Sequence, residues 1–281
     1  MEVLGEVDAA GSGAEKWIGR RVIACAKGAY GGYADYVIGD AGMVFDAPAA
    51  LDDIAGAAFY FPFHLAWLGL HERGKLQVGE TVLIHAGAGG VGSAAIQLAV
   101  AAGARVFATA GGADKIAKCR ELGAEMAIDY RAQDFVPAIL EATGGRGVDL
   151  AFDGVGGAVT EASVKCLALH GRLMVIGFAS GIEAEDQPTL APRALCFGSI
   201  SLMGVMLAYA GDPRAENPAP GFHMLPRSVG ERVQSSLEGL LVEGRIRPFI
   251  GNVVPFEELP AALDRMDQRL TIGRTVVTLG S

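Results

Sequence analysis

Glu80-Thr81-Val82-Leu83-Ile84-His85-Ala86-Gly87-Ala88-Gly89-Gly90-Val91-Gly92 is the stretch around which the rest of the chain is read. Val82 to Ile84 is a short apolar run of the kind that forms a buried strand. It enters Gly87-x-Gly89-x-x-Gly92, and Ser93 to Ala99 then has helix composition. Strand, tight glycine turn and helix in that order are what a dinucleotide pyrophosphate requires. Gly87 permits the turn, Gly89 lets backbone approach the phosphates, and Gly92 lets the helix pack closely. Ala88, Gly90 and Val91 complete the loop. The helix N-terminus then presents N–H groups and a partial positive charge to the anion. With 40 glycines in the chain the spacing alone would be weak, so the strand and helix on either side carry the reading.

Outward from this stretch the pattern is regular. Arg105–Thr109, Met126–Asp129, Asp149–Asp153 and Arg172–Ile176 read as further strands. Helical segments at 114–122, 134–142 and 160–169 alternate with them. This is the βαβ rhythm of a doubly wound parallel sheet. The first fifty residues instead read as short β-segments cut by glycine: Val3–Val7, Arg21–Ala24 and Tyr33–Ile38. Asp52 to Glu72 has helical character, with Asp52 or Asp53 as a cap and Pro62 expected to end or kink the first helix. After Met206 the rhythm fails. Gly211-Asp212-Pro213 and Asn217–Gly221 form an irregular insert, followed by a helix at 230–243, a β-like segment at 246–254, a helix from about Glu257 and a strand at 275–279. The ends of the chain resemble each other more than the middle. The expected division is 1–61 and 207–281 in one split domain, with 62–206 inserted as the dinucleotide-binding domain.

Composition narrows the class. The chain has 281 residues, 51% of them hydrophobic and 20% charged, which is globular. A net charge of −9 argues against nucleic acid or an anionic membrane as partner. No apolar run is long enough for a membrane span, and the acidic N-terminus lacks the pattern of an export signal, so the expected compartment is the cytoplasm. Cys25, Cys119, Cys166 and Cys196 are far apart and form no C-x-x-C pair. They read as buried small hydrophobes, not as a disulfide frame or metal cluster.

The glycine stretch, together with Gly31-Gly32-Tyr33-Ala34-Asp35-Tyr36-Val37, Leu122-Gly123-Ala124, Ile128-Asp129-Tyr130, Asp153-Gly154-Val155-Gly156-Gly157 and Gly171-Arg172-Leu173, resembles the zinc-independent quinone oxidoreductase branch of the medium-chain dehydrogenase/reductases. The resemblance covers nearly the whole chain. It implies an α/β fold, with a doubly wound parallel Rossmann sheet inserted in a partial GroES-like β-rich catalytic domain. It also implies hydride transfer from NAD(P)H to a quinone or activated enone, and a homodimer formed through the Rossmann sheet edge, with Ser199–Met206 as its last strand. Members of that branch carry more chain ahead of the position of Met1, so this sequence is expected to begin inside the catalytic domain. A family Tyr-Gly-Thr-Ala-like segment stands here as Phe63-His64-Leu65-Ala66.

Zinc is not expected. The position of one catalytic ligand of the zinc enzymes falls on Met1, another falls near Pro62, and only eight residues with Cys25 alone separate Val22 from Gly31, where a four-cysteine lobe would be needed. For the cofactor, an acid about 20 residues after the glycine motif begins would bind the ribose diol of NAD. Here the sequence is Thr109-Ala110-Gly111-Gly112. Asp114 just beyond reads as a helix N-cap. Lys115 can reach a 2′-phosphate, Arg131 is a further cation, and the resemblance adds Tyr130 on the adenine side. These features favour NADPH, against solvated surface charges as the plain reading. Gly154, Val155, Gly177 and Phe178 fall at strand ends near the expected nicotinamide, with Phe178 equally readable as core. The resemblance adds Arg269, whose other reading is a helix-end arginine.

Hydride transfer needs neither nucleophile nor metal, and no catalytic residue stands out. His64 is the one histidine near the expected cleft, as a polar group or a packing one. Two other functions stay open at this stage: a zinc-free alcohol or aldehyde reductase, and a nucleotide-binding protein with little turnover because its catalytic domain is truncated.

Overall fold

The computed structural model describes residues 2–181, 192–216 and 219–280. The chain divides into two units, Met1–His64 with Leu207–Ser281, and Leu65–Met206.

The first unit begins with β1 (Glu2–Glu6), β2 (Arg21–Ala26) and β3 (Gly39–Asp46), an antiparallel sheet in the order β1-β2-β3. Tyr33–Ile38, expected as a strand, is a bend instead. The pairing surface of β2 is taken by Gly39 and by Val44–Asp46, so Tyr33–Ile38 has no ladder to join, and Tyr36 and Ile38 stand exposed. Two short helices follow, α1 (Asp53–Gly56) and α2 (Tyr60–Trp67). Asp52 caps α1 by accepting the Ala55 N–H at 2.8 Å. Pro62 ends nothing. The break comes earlier, and Pro62 lies in the first turn of α2, where a missing N–H costs no helical bond.

Glu2 closes this region. Its buried carboxylate accepts the Phe61 N–H from the start of α2 at 2.7 Å and pairs with Arg274. Burial pushes the Glu2 carboxyl up from its ordinary range despite the Arg274 charge and the hydrogen bonds that oppose the shift.

In the second unit α2 runs on into a π-helical turn, Leu68–Arg73. Gly69 and Gly74 let that turn press on the sheet, since a Cβ on either would meet Phe152 or Leu150 at 2.5 or 2.7 Å. The sheet comprises β4 (Thr81–Ile84), β5 (Arg105–Ala110), β6 (Met126–Asp129), β7 (Val148–Asp153), β8 (Leu167–Val175) and β9 (Ser201–Gly204), all parallel. Their order is β6-β5-β4-β7-β8-β9. The order reverses between β4 and β7, as in a doubly wound fold. The helices α3 (Gly90–Ala101), α4 (Ala113–Glu121), α5 (Phe135–Ala142), α6 (Ala158–Val164) and α7 (Pro192–Gly198) make the crossovers. Val82–Ile84, Val106 and Ala108 are fully buried, as strands covered on both faces must be.

Two boundaries differ from the sequence reading. The helix expected over 160–169 ends at Val164, because Leu167 already pairs with Val148 on β7. A register shift in that pairing accommodates His170, whose φ is 62°. The last strand is Ser201–Gly204, narrower than Ser199–Met206.

The chain then returns to the first unit with β10 (Tyr209–Ala210), β11 (Leu225–Pro226), α8 (Arg227–Val242), β12 (Ile250–Pro255), α9 (Leu259–Asp267) and β13 (Arg274–Thr278). Residues 182–191 and part of the irregular insert, Asn217 and Pro218, lie outside the described residues, as does Met1. Among the described residues no helix is long and apolar enough to cross a membrane.

Candidate functional site

The glycine turn is built by crowding. The left-handed residue is Ala86, with φ 52°, and Gly87 is needed for space: a Cβ there would lie 2.9 Å from Cys119 Sγ and 3.0 Å from Ala108 Cβ. Gly87 N–H donates to the Thr109 carbonyl at 2.9 Å, tying the turn to the end of β5. Gly92, in the first turn of α3, lies against the Ala86 carbonyl, which any Cβ would overlap. Gly89 is the N-cap residue of α3, and a Cβ on it would approach only the Ala86 oxygen, at 3.2 Å. The sites of closest packing are thus Gly87 and Gly92, while Gly89 borders open space. The N–H groups of Gly90, Val91 and Gly92 lie in the first helical turn, where no intrahelical acceptor is in reach.

Beside this turn, β5 ends in Ala110-Gly111-Gly112. Gly111 is covered by the residues after β6: a Cβ there would lie 2.7 Å from Arg131 Nε and 2.8 Å from the Tyr130 hydroxyl. Asp114 does not cap α4. The N-cap is Gly112, with φ 95°, and Asp114 lies in the first turn, a favourable place for an acid at the positive helix end. Lys115 follows in the same turn, half-buried.

On the other side of β4, the residues after β7 and β8 run side by side. Ala179 N–H donates to the Gly154 carbonyl at 3.1 Å and Ser180 N–H to the Val155 carbonyl at 2.8 Å. Gly177 lies against Gly154 at ordinary contact distance, with 3.4 Å from its Cβ position to the Gly154 oxygen. Phe178 is 50% exposed and so is not core. The fold therefore brings Gly87–Gly92, Lys115, Tyr130, Gly154, Val155, Gly177 and Phe178 to the carboxyl edge of one parallel sheet, on both sides of the reversal in strand order.

Thr109 shares that edge but turns inward. Its hydroxyl lies 2.9 Å from His85 Nδ1, and His85 Nε2 lies 2.8 Å from Ser163 Oγ, which donates in turn to the Val159 carbonyl at 2.7 Å. Ser163 has spent its proton, so His85 Nε2 is the donor and Nδ1 accepts from Thr109. The ring is neutral, and burial brings its pKa down to about 4. This bridge from β4 to β5 and α6 had a signal in the sequence: a histidine directly after a buried strand, at the base of a glycine turn.

A family model described as a zinc-binding dehydrogenase matches residues 90–218. Highly-reducing polyketide synthase 1 of Aureobasidium melanogenum is 33% identical over 267 residues, 92% of this chain and 11% of that protein. The chain thus spans about a tenth of the length of the curated relatives it matches. The quinone oxidoreductase of Escherichia coli, solved with NADPH, superposes with a TM-score of 0.82 at 26% identity, over 98% of this chain and 80% of that one. The JamJ enoyl reductase, in its apo form, gives 0.77 at 28% identity, over 99% of this chain and 78% of that one. The chain belongs to the medium-chain dehydrogenase/reductase superfamily.

For this medium-chain dehydrogenase/reductase, the two remaining candidates sit in the other unit, and neither meets its expectation simply. His64 is fully buried among the rings of Phe45, Tyr60 and Tyr209. Its Nε2 lies 2.8 Å from Gln234 Oε1, and its Nδ1 lies 3.1 Å from the Tyr209 hydroxyl. The Gln234 oxygen can only accept, so His64 is neutral with its proton on Nε2, and burial lowers its pKa to about 4. Of the two readings the sequence left open for it, packing describes these surroundings. Arg269 is exposed with φ 58°, and its N–H donates to the Met266 carbonyl at 2.9 Å. That is the left-handed residue which terminates a helix, so its backbone serves to end α9.

The cysteines of this superfamily member do not cluster. Cys25, Cys119 and Cys166 are buried, and burial pushes their thiols up to about 12, 11 and 12, while Cys196 on α7 is exposed. Among the described residues no three His, Cys, Asp or Glu side chains gather at one point.

Proposed function

We propose that the chain binds NADPH along the carboxyl edge of its parallel sheet and delivers the hydride, without zinc, to an activated enone of the enoyl-thioester kind. The observation that carries this reading is the corner at Gly111. An acid that would bind the ribose diol of NADH is replaced there by a glycine, and the space is occupied by Tyr130 and Arg131, with Lys115 on the adjoining helical turn. Cations in that position favour the 2′-phosphate.

The residues fit the cofactor at other points as well. The open approach to Gly89 and the first-turn N–H groups of α3 suit a pyrophosphate. The paired backbone after β7 and β8, Gly154–Val155 and Gly177–Phe178, would flank the nicotinamide. Bound NADPH supplies the hydride. The protein's part is to orient the ring and exclude water, and the proton that completes reduction comes from solvent or a weak donor. Polyketide synthases among the relatives and an enoyl reductase among the structural neighbours support an enone over a quinone as the acceptor. The exposed edge strand β9, with Leu202 46% exposed, supports a homodimer through that sheet edge.

The test is a parallel assay of NADPH and NADH oxidation with a 2-enoyl thioester, a quinone and an aldehyde. Enoyl-thioester turnover with NADPH is expected to be fastest. Faster quinone or aldehyde turnover would replace the acceptor, and tight NADPH binding with no turnover would make the chain a nucleotide-binding protein.

A further inference from the structure

Asp153, the last residue of β7, is 0% exposed. Its Oδ1 accepts the N–H groups of Val155 at 2.8 Å and Gly156 at 3.1 Å, and its Oδ2 accepts the Thr160 hydroxyl at 2.5 Å. Its own carbonyl accepts the Ile176 N–H at 2.8 Å. The side chain therefore shapes the turn after β7, and the main chain holds that turn to the segment after β8. Among the contacts the structure gives Asp153, none is an ion pair with a lysine or arginine.

A buried carboxylate without a cation is costly, and here three donors offset part of that cost. Asparagine at the same place would accept both N–H groups through Oδ1 and donate through Nδ2 to the Thr160 oxygen. Both N–H bonds would be kept, the Thr160 contact would have to reverse, and no charge would be buried. All three contacts are donors, so they suit a carboxylate, which can only accept, better than an amide. The place of that charge supplies a use. It lies at the end of β7, beside the point where strand order reverses, and its Oδ1 holds the N–H of Val155, in the backbone assigned above to the nicotinamide.

We propose that Asp153 is a positioning residue whose negative charge favours the oxidised cofactor over the reduced one, and so assists hydride departure. This rests on the NADPH reading above. When the C4–H bond breaks, the hydride leaves with its electron pair for the acceptor carbon, and the nicotinamide ring is left with a positive charge. A proton from water completes the reduced product. A fixed anion at the end of β7 would favour the side of the reaction on which a nicotinamide held by Gly154–Val155 is cationic. His85 does not cancel this field, because the Thr109 and Ser163 contacts hold it neutral.

The experiment is fluorescence and calorimetric titration of the full chain with NADPH and NADP⁺ separately, comparing wild type with Asp153→Asn and Thr160→Val. Asp153→Asn is expected to keep NADPH affinity within a few-fold and to weaken NADP⁺ by about tenfold, a shift of one 1.4 kcal/mol step in relative affinity. Thr160→Val, which removes one donor and keeps the charge, is expected to leave the NADPH-to-NADP⁺ ratio unchanged. An unchanged ratio in Asp153→Asn would overturn the proposal. So would a protein too unstable to bind either form, which would assign the carboxylate to the fold. Failure of wild type to bind either nucleotide would instead remove the cofactor reading, and the inference with it.

Discussion

Gly111 lies against the Arg131 side chain so closely that a Cβ at that position would stand 2.7 Å from Nε and 2.8 Å from the neighbouring Tyr130 hydroxyl. The two residues after β6 hold their places only because the residue after β5 has no side chain. Gly111→Asp should therefore displace Tyr130 and Arg131 and present an acid to the ribose. NADPH affinity should fall by about 1.5–3 kcal/mol, the worth of a charged hydrogen bond, while NADH affinity holds or improves. Lys115→Ala should weaken NADPH and spare NADH. Paired titrations check both variants, and equal losses for the two cofactors would detach this corner from the 2′-phosphate.

Gly92→Ala tests the glycine turn itself. The added Cβ overlaps the Ala86 carbonyl, and overpacking against backbone costs about 1–3 kcal/mol. The strain falls where the first-turn N–H groups of α3 are aimed. Nucleotide affinity should drop more than thermal stability. Titration and thermal melting on one preparation compare the two, and undiminished affinity would argue against the turn as the pyrophosphate site.

His64, His71 and His85 each have a pKa lowered to about 4, chiefly by burial. In the unfolded chain they return to about 6.5, so between those values the unfolded state binds more protons than the folded one. Their contribution is complete above about pH 6.5 and is lost as pH falls toward 4. Unfolding near pH 5 should accordingly take up close to three protons from these residues, and the melting temperature should fall steeply below pH 6. Denaturation in buffers of different ionisation enthalpy measures the uptake. Flat stability from pH 7 to 4.5 would contradict the buried, neutral state of these rings.

His64→Ala removes a ring packed between Phe45, Tyr60 and Tyr209 and leaves Gln234 and the Tyr209 hydroxyl each short of a partner. A loss of about 2–4 kcal/mol in stability is expected. Turnover per folded molecule should be unchanged at a temperature where the variant stays folded. A collapse of turnover with intact folding would restore His64 as a reacting group.

Leu202→Glu puts a charge on β9, the edge strand of the sheet among the described residues. Light scattering should show dimer in wild type and monomer in the variant, with the fold retained because Leu202 is half-exposed.

The sheet was legible because its strands are buried on both faces: Val82–Ile84 and Val106–Ala108 are unbroken apolar runs that admit one reading. The glycine turn was legible by spacing, though the division of labour among its glycines was not. Spacing does not reveal that Gly87 faces Cys119 and Ala108 across the turn, while Ala86 takes the left-handed φ. The periphery was less legible. Tyr33–Ile38 has strand composition, yet whether a strand forms depends on a free partner, and β3 takes that place. The surroundings of His64 and Thr109 were not legible, for a related reason. A polar residue near a glycine turn or cleft in sequence does not reveal which way it faces, and both have buried partners, Gln234 and His85, at distant positions in the chain.

The cysteines, finally, make the molecule simple to instrument. Thiols at Cys25, Cys119 and Cys166 are buried and hold their protons to pH 11 or above, so maleimides and iodoacetamides, which attack thiolates, will pass them by. Cys196 alone among the four stands exposed, on the crossover helix before β9. A single fluorophore can be attached there without mutagenesis. It would report from beside the sheet edge on assembly, leaving the glycine turn, Gly111 and Asp153 untouched.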